Sequence, residues 1–284
     1  MNEVPWGQDK PCFVVAELGI NHNGSVEIAK QLIDAAVAAG ANAVKFQKRT
    51  VEVVYTPEEL ARPRENPFGK TNGDLKRGLE FSFEDYCEIS DHCDVKEIQW
   101  FASPWDVESV AFLKGFGVPF YKVASACITD KALLSAITTT EKPVIISTGM
   151  SDEYQISDAV DFFGDTPMAI LACTSTYPAA IVELNLARIY KLQQMFPRDT
   201  IGYSGHEVGI WSTLCAVAMG AKVVERHLTL DRAMWGSDQA ASLEPPAFAK
   251  LITEIRDFEK AYGTEVLECL ESERPILEKL RRVK

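Results

Sequence analysis

The chain has 284 residues, 46% hydrophobic and 25% charged, with 29 basic and 41 acidic side chains and a formal net charge of −12. This length and apolar content suit one large domain with a sizeable core and exclude a mainly disordered chain. The acidic balance argues against a nucleic-acid-binding stripe, but a small anionic substrate stays open, because a few local lysines and a metal ion can outweigh the global sign.

Along the chain, short apolar runs of strand length alternate with amphipathic helical patterns. The runs cover 12–17, 41–47, 98–103, 118–122, 143–147, 168–173, 200–204 and 222–227, and most of their residues are β-branched, aromatic or small. Between them the helical periodicity is clear at 25–38, 83–93, 107–114, 131–139 and 208–218, and the last helix spans about 246–262. Ser25 reads as an N-cap, with Glu27 in the first turn. Eight strands with following helices imply a parallel sheet, either open and doubly wound or closed. Eight units in this length favour the closed form, an α/β fold of the (β/α)8 TIM-barrel type over residues 1–262.

Two segments break the rhythm. Residues 55–80, between the second strand and its helix, are rich in Pro, Arg, Asn and Gly and read as a substrate loop or lid over the catalytic face. Residues 263–284 read as a linker or docking arm. No signal peptide or membrane-spanning run is visible, and the seven cysteines include no C-x-x-C pair. Cys12, Cys127, Cys173 and Cys215 are expected as reduced core thiols of a cytoplasmic protein.

Most of the strands end on polar residues, which are costly inside a barrel unless they reach its open top. The first ends at Glu17, and the second carries Lys45 and Gln47 on one face. Ser103 ends the third, Lys122 and then Ser125 the fourth, and Ser147 the fifth. The sixth is followed by Ser175 and Tyr177, the seventh aligns Ser204 and His206, and the eighth puts Glu225 and His227 on one face with Arg226 on the other. Barrel catalytic sites are assembled from such strand ends.

His206 and His227 end consecutive strands, so they either converge on a divalent ion or are hydrogen-bonded structural histidines. Lys45 and Lys122 are Schiff-base nucleophiles or an anion clamp, and the neighbouring serines favour the clamp. His92 lies on a helix and reads as structural. Gly69-Lys70-Thr71 lacks the leading glycine of a P-loop, because position 64 is Arg64.

The chain resembles the sialic acid synthase family of phosphoenolpyruvate-dependent nonulosonate synthases. The matching segments, in family order, are AELGINHNG at 16–24, VKFQ at 44–47, YKVAS at 121–125, STGM at 147–150, CTSTYP at 173–178, GYSGH at 202–206, ERH at 225–227 and GSD at 236–238, followed by SLEP at 242–245. The resemblance implies condensation of phosphoenolpyruvate with the open-chain aldehyde of an N-acylhexosamine such as N-acetylmannosamine. Phosphate leaves with C–O cleavage and a nine-carbon 2-keto acid forms.

It further implies that His206 and His227 hold Mn2+ or Mg2+. It assigns phosphoenolpyruvate to Lys45, Ser103, Lys122, Ser125, Ser147 and Ser204, and the sugar and its aldehyde end to Glu17, Gln47, Tyr177, Glu225 and Asp238. Ser175 is placed with the substrate contacts, and Asn72 in the long segment is a further expected sugar contact. Two departures stand out. Cys127 occupies a position where sialic acid members often carry a glutamate, and a neutral thiol is a poor general base, so Glu17, Glu225 or a metal-activated water is expected to move the protons. The sequence also stops in what resembles the linker to the family's C-terminal antifreeze-like domain, so that domain is expected to be absent or supplied by a separate partner. A homodimer of barrels is expected, with no nucleic-acid or membrane partner. The competing readings are a Schiff-base sialate lyase or aldolase acting through Lys122, and a non-catalytic sugar-phosphate-binding scaffold.

Overall fold

All seven residues of β1 (Phe13–Gly19) are buried, as expected for a strand covered on both faces. In the computed structural model, which describes residues 4–283, β1 is an inner strand of a parallel sheet. The other strands are β2 (Ala43–Lys48), β3 (Pro63–Asn66), β4 (Gly69–Thr71), β5 (Gln99–Pro104), β6 (Tyr121–Val123), β7 (Val144–Ser147), β8 (Met168–Cys173), β9 (Thr200–Gly205) and β10 (Val223–His227). Eight of them form one sheet in the order β5-β2-β1-β10-β9-β8-β7-β6. Its two end strands, β5 and β6, lie against each other, so the sheet curls into the expected (β/α)8 barrel.

Helices follow the strands and cover the barrel. The helix Val26–Ala39 begins where expected, with the Ser25 side chain accepting from the Ile28 amide, and it buries Ala29, Leu32, Ile33 and Ala36. That i, i+3, i+4, i+7 stripe explains its orientation. The last barrel helix is Pro245–Tyr262. No helix among the described residues is long and apolar enough to cross a membrane.

The segment 55–80 differs from the open loop suggested by its composition. It holds the short helix Pro57–Ala61, the antiparallel pair β3–β4 and the helix Asn72–Leu79. Both helices start on reciprocal capping boxes, Thr56 with Glu59 and Thr71 with Asp74, which satisfy amides that an irregular loop would leave to water. Gly24 anchors this subdomain to the barrel. Its φ is +75°, and a Cβ there would sit 2.1 Å from the Gly78 carbonyl oxygen, so only glycine allows the two backbones to meet. The C-terminal tail carries a further exposed helix, Arg274–Leu280.

The seven cysteines are free. Cys12, Cys127 and Cys173 are buried as expected, but Cys215 is exposed. The apolar pattern around Cys215 belongs to an amphipathic helix, Trp211–Ala218, whose buried stripe is Ser212, Thr213, Ala216 and Val217. His92 pairs with Asp34 at 2.8 Å on the barrel exterior.

Candidate active site

Strand register brings the polar ends together. Glu17 of β1 sits directly between Lys45 of β2 and His227 of β10. Ser204 of β9 is the partner of Glu225 on one side and of Cys173 on the other, and Gln47 is the partner of Ser103. These strand ends open into a cavity of about 280 Å³.

Two ammonium groups dominate the cavity floor. Lys45 Nζ lies 2.6 Å from Glu17 Oε2 and 3.7 Å from Glu225 Oε1, and it donates to Ser103 Oγ at 3.1 Å. Lys122 Nζ lies 4.0 Å from Glu225 Oε1 and donates to Ser147 Oγ at 2.7 Å. The order of charges is therefore Glu17, Lys45, Glu225, Lys122, alternating in sign across the floor. Burial works against the Lys45 ammonium, but Glu17 and Glu225 outweigh it and hold its pKa above the ordinary lysine value. Burial lowers the pKa of Lys122, which the nearby Glu225 offsets only in part. Burial would also raise Glu225, but Lys122 and Lys45 hold it below the usual carboxylate range. Glu17 is pushed up by burial, with Lys45 opposing, and it accepts from Gln47 Nε2 at 2.8 Å.

The serines complete the floor. Ser204 Oγ donates to Glu225 Oε1 at 3.3 Å. Ser125 Oγ accepts from the Gly149 amide at 3.1 Å and contacts Cys173 Sγ at 3.6 Å. A Cβ at Gly149 would lie 2.1 Å from Ser175 Oγ, so that glycine lets β7 close on the hydroxyls. Cys173 has no role in the sequence reading beyond a core thiol, yet it lines the cavity. Burial raises its pKa, but the bond to His206 and the contact with Ser125 outweigh this and lower it to about 7.

The two histidines face one another on the next strands, with ring centroids 5.3 Å apart and Tyr177 over His206 at 4.2 Å. His206 Nδ1 lies 2.7 Å from the Thr174 carbonyl oxygen. A carbonyl only accepts, so Nδ1 carries the hydrogen, and in the neutral ring Nε2 keeps its lone pair. Burial works to lower the His206 pKa, but Cys173 and the Thr174 carbonyl outweigh it and hold it above the ordinary histidine value. His227 Nδ1 is buried with no hydrogen bond, 3.9 Å from Asp238 Oδ2. Burial lowers the His227 pKa to about 3, so its imidazole is neutral. A neutral ring with an unpaired nitrogen beside a ring oriented by a carbonyl is a donor set that suits a divalent ion. Among the described residues no group of three or more His, Cys, Asp or Glu side chains is arranged to hold a metal. An ion here would complete its shell from water and substrate oxygens.

The cavity is lined by Glu17, Lys45, Gln47, Ser103, Lys122, Ser125, Ser147, Ser175, Tyr177, Ser204, His206, Glu225 and His227. Asp238 is outside the lining but beside His227. Asn72 is outside it as well: its side chain donates to the Glu59 carbonyl at 3.2 Å and accepts from Arg64 at 3.3 Å, both within the 55–80 subdomain. Trp105 and Met150 add apolar walls that sequence reasoning did not single out. Both follow strands β5 and β7, which is the one signal that could have found them. Cys127 is buried and outside the lining, with its thiol pushed up to about 11 by burial.

A family model described as the NeuB family matches residues 32–267. The chain is 39% identical to human N-acetylneuraminate-9-phosphate synthase over 96% of this chain and 77% of that protein. It is 35% identical to the N,N'-diacetyllegionaminic acid synthase of Legionella pneumophila, over 98% of this chain and 81% of that one. Among solved structures, the N-acetylneuraminic acid synthetase of Leptospira borgpetersenii serovar Hardjo-bovis superposes with a TM-score of 0.85 at 34% identity, covering 100% of this chain and 97% of that one.

Proposed function

Because the chain belongs to the NeuB family, we propose that it is a nonulosonate synthase that joins phosphoenolpyruvate to the open-chain aldehyde of an N-acylhexosamine. The product is a nine-carbon 2-keto sugar acid, with phosphate as the second product. The observation that carries this reading is the pair of buried ammoniums, each hydrogen-bonded to a serine hydroxyl, beside two inward-facing imidazoles. Ammonium and hydroxyl donors together suit a ligand bearing both phosphate and carboxylate.

Lys45, Lys122, Ser103 and Ser147 hold the phosphoenolpyruvate, and Ser125 and Ser204 extend the clamp. His206 and His227 would hold a divalent ion, which when bound supplies Lewis-acid polarisation of the aldehyde oxygen. The C2–C3 π pair of phosphoenolpyruvate forms the new bond to the aldehyde carbon, whose oxygen takes up a proton. Water adds at C2 and gives up both its protons, one balancing the proton taken by the aldehyde oxygen and one going to the phosphate, which departs with the bridging oxygen to leave the 2-keto group. Glu17 and Glu225 are the carboxylates within reach of these transfers. Oε2 of Glu225 is buried with no hydrogen bond, which suits a group that meets a substrate or water proton. Cys127, as a neutral buried thiol, takes no part. Gln47, Tyr177 and Asp238 face the sugar side, and Trp105 and Met150 offer apolar surface to its acyl group.

The test is phosphate release from phosphoenolpyruvate with Mn2+ across a panel of aldoses. Release that requires one N-acylhexosamine supports the reading, and release independent of any aldose contradicts it. One observation favours a second reading, a Schiff-base lyase: burial lowers the Lys122 pKa toward a nucleophilic amine. Borohydride trapping with pyruvate and a mass shift on Lys122 would support it. The 2.7 Å bond to Ser147 and the approach of Glu225 favour the clamp instead.

A further inference from the structure

Glu207 and Arg226 are fully buried and form an ion pair at 3.0 Å on the outer face of the barrel. Each is the immediate chain neighbour of one of the two site histidines, His206 and His227. Strand alternation points Arg226 away from the cavity while Glu225 and His227 point into it.

We infer that Glu207 and Arg226 are positioning residues: a buried bracket behind the barrel wall that sets the spacing of His206 and His227. Arg226 donates to Glu207 Oε1, to the Glu207 carbonyl at 2.6 Å, to the Gly209 carbonyl at 3.0 Å and to Thr213 Oγ1 at 2.7 Å. The bond to the Glu207 carbonyl ties the backbone just after His206 directly to β10. The carboxylate is held in turn by Tyr203, whose hydroxyl donates to Oε2 at 2.9 Å, and by the Ser212 hydroxyl. Gly205 makes the room: a Cβ there would lie 2.8 Å from Glu207 Oε2 and 3.0 Å from Arg226 Cδ. The other edge of the β9 end is tied by the Ala179 amide donating to the His206 carbonyl at 3.0 Å.

A buried ion pair is a poor source of net stability, since desolvation offsets its attraction, so the role inferred for this one is to fix geometry. Beyond the last β9–β10 ladder pair, Arg226 with Gly205, the two strands carry no further pairing, and this is where His206 and His227 stand. The bracket takes over from the ladder at that point. Outer partners of metal ligands commonly govern metal affinity by about 10–100-fold.

This inference rests on the two-histidine metal reading above, and its test separates the two. The double variant Glu207→Leu/Arg226→Met removes both charges, and Arg226→Lys keeps the charge but cannot reach four acceptors at once. Each is compared with the wild type in melting temperature, Mn2+ affinity by electron paramagnetic resonance, KM for phosphoenolpyruvate, and imidazole 15N resonances. The expected result is a folded variant whose Mn2+ affinity falls about 10–100-fold, with KM for phosphoenolpyruvate within twofold. The His206 and His227 resonances move while those of His22 and His92 stay, and Arg226→Lys gives an intermediate effect. Unchanged Mn2+ affinity together with unmoved His206 and His227 resonances in either folded variant overturns the bracket. If the wild type binds no Mn2+, the metal reading fails and the bracket is decided by the imidazole resonances alone.

Discussion

Lys45 Nζ lies 2.6 Å from Glu17 Oε2, and the β1–β2 register makes these two residues direct neighbours. Both side chains are buried, so the pair cannot be broken by water without exposing one charge to a low-dielectric wall. The same ammonium faces Glu225, which also faces Lys122, so one lysine bridges two carboxylates and the second lysine balances the extra charge.

Replacing Lys45 by Met should therefore cost both stability and ligand binding. Two buried carboxylates would be left without their shared cation, a loss of roughly 3–5 kcal/mol for a broken buried pair. Chemical denaturation should register that loss, and calorimetric titration should show phosphoenolpyruvate binding weakened at least tenfold. Adding Glu17→Gln to Lys45→Met should restore part of the stability and none of the binding. Full stability in the single variant would contradict the ion-pair geometry.

Acid should destabilise the fold through His22. This ring is buried, stacks on Phe81 with centroids 4.1 Å apart, and accepts from the Gly24 amide at 3.1 Å. Burial lowers its pKa from 6.5 to about 3. The unfolded chain then binds more protons than the folded one below pH 6.5, so stability falls as pH drops and is fully present above 6.5. Between pH 6.5 and 4.5 the loss is roughly 2–3 kcal/mol. Denaturation curves at several pH values should show this slope in the wild type and a shallower one in His22→Gln.

Gly24→Ala should unseat the 55–80 subdomain. The new methyl would meet the Gly78 carbonyl at 2.1 Å with φ at +75°, a combined strain on the order of 2–4 kcal/mol. The expected readouts are a lowered melting temperature and faster proteolytic cleavage within residues 55–80. Unchanged protease resistance would show that the subdomain is held elsewhere.

Metal removal should abolish turnover, and Mn2+ should restore it. His206→Ala and His227→Ala should each reduce turnover by at least about 100-fold, corresponding to the loss of several kcal/mol of charge stabilisation. Phosphoenolpyruvate binding, assigned to the lysines and serines, should survive in both variants. Undiminished activity after exhaustive EDTA treatment would rule out the metal role.

The barrel was legible because its strands are short apolar runs ending on polar residues, and period-two alternation alone puts Lys45 with Gln47, and Glu225 with His227, on a shared face. The cavity lining follows that pattern closely. What the pattern missed lies off the strands or depends on three-dimensional contact. The 55–80 segment looks like a loop by composition, yet paired capping boxes at Thr56 and Thr71 fold it, and Asn72 turns into that subdomain rather than the cavity. Cys173 looked like one core thiol among several, and only the approach of Ser125 and His206 distinguishes it. Cys215 had the same apolar surroundings in sequence but falls on the exposed side of its helix. Arg226 could be placed off the inner face from alternation, while its partner Glu207 could not be found without the structure.

The central claim, that this cavity condenses phosphoenolpyruvate with an aldose, is tested most directly by phosphoenolpyruvate carrying 18O in its bridging C2–O position. Incubated with Mn2+ and an accepted N-acylhexosamine, the enzyme should deliver the label into inorganic phosphate, in step with formation of a nine-carbon keto acid. Label retained in the organic product, or labelled phosphate released without the aldose, would contradict it.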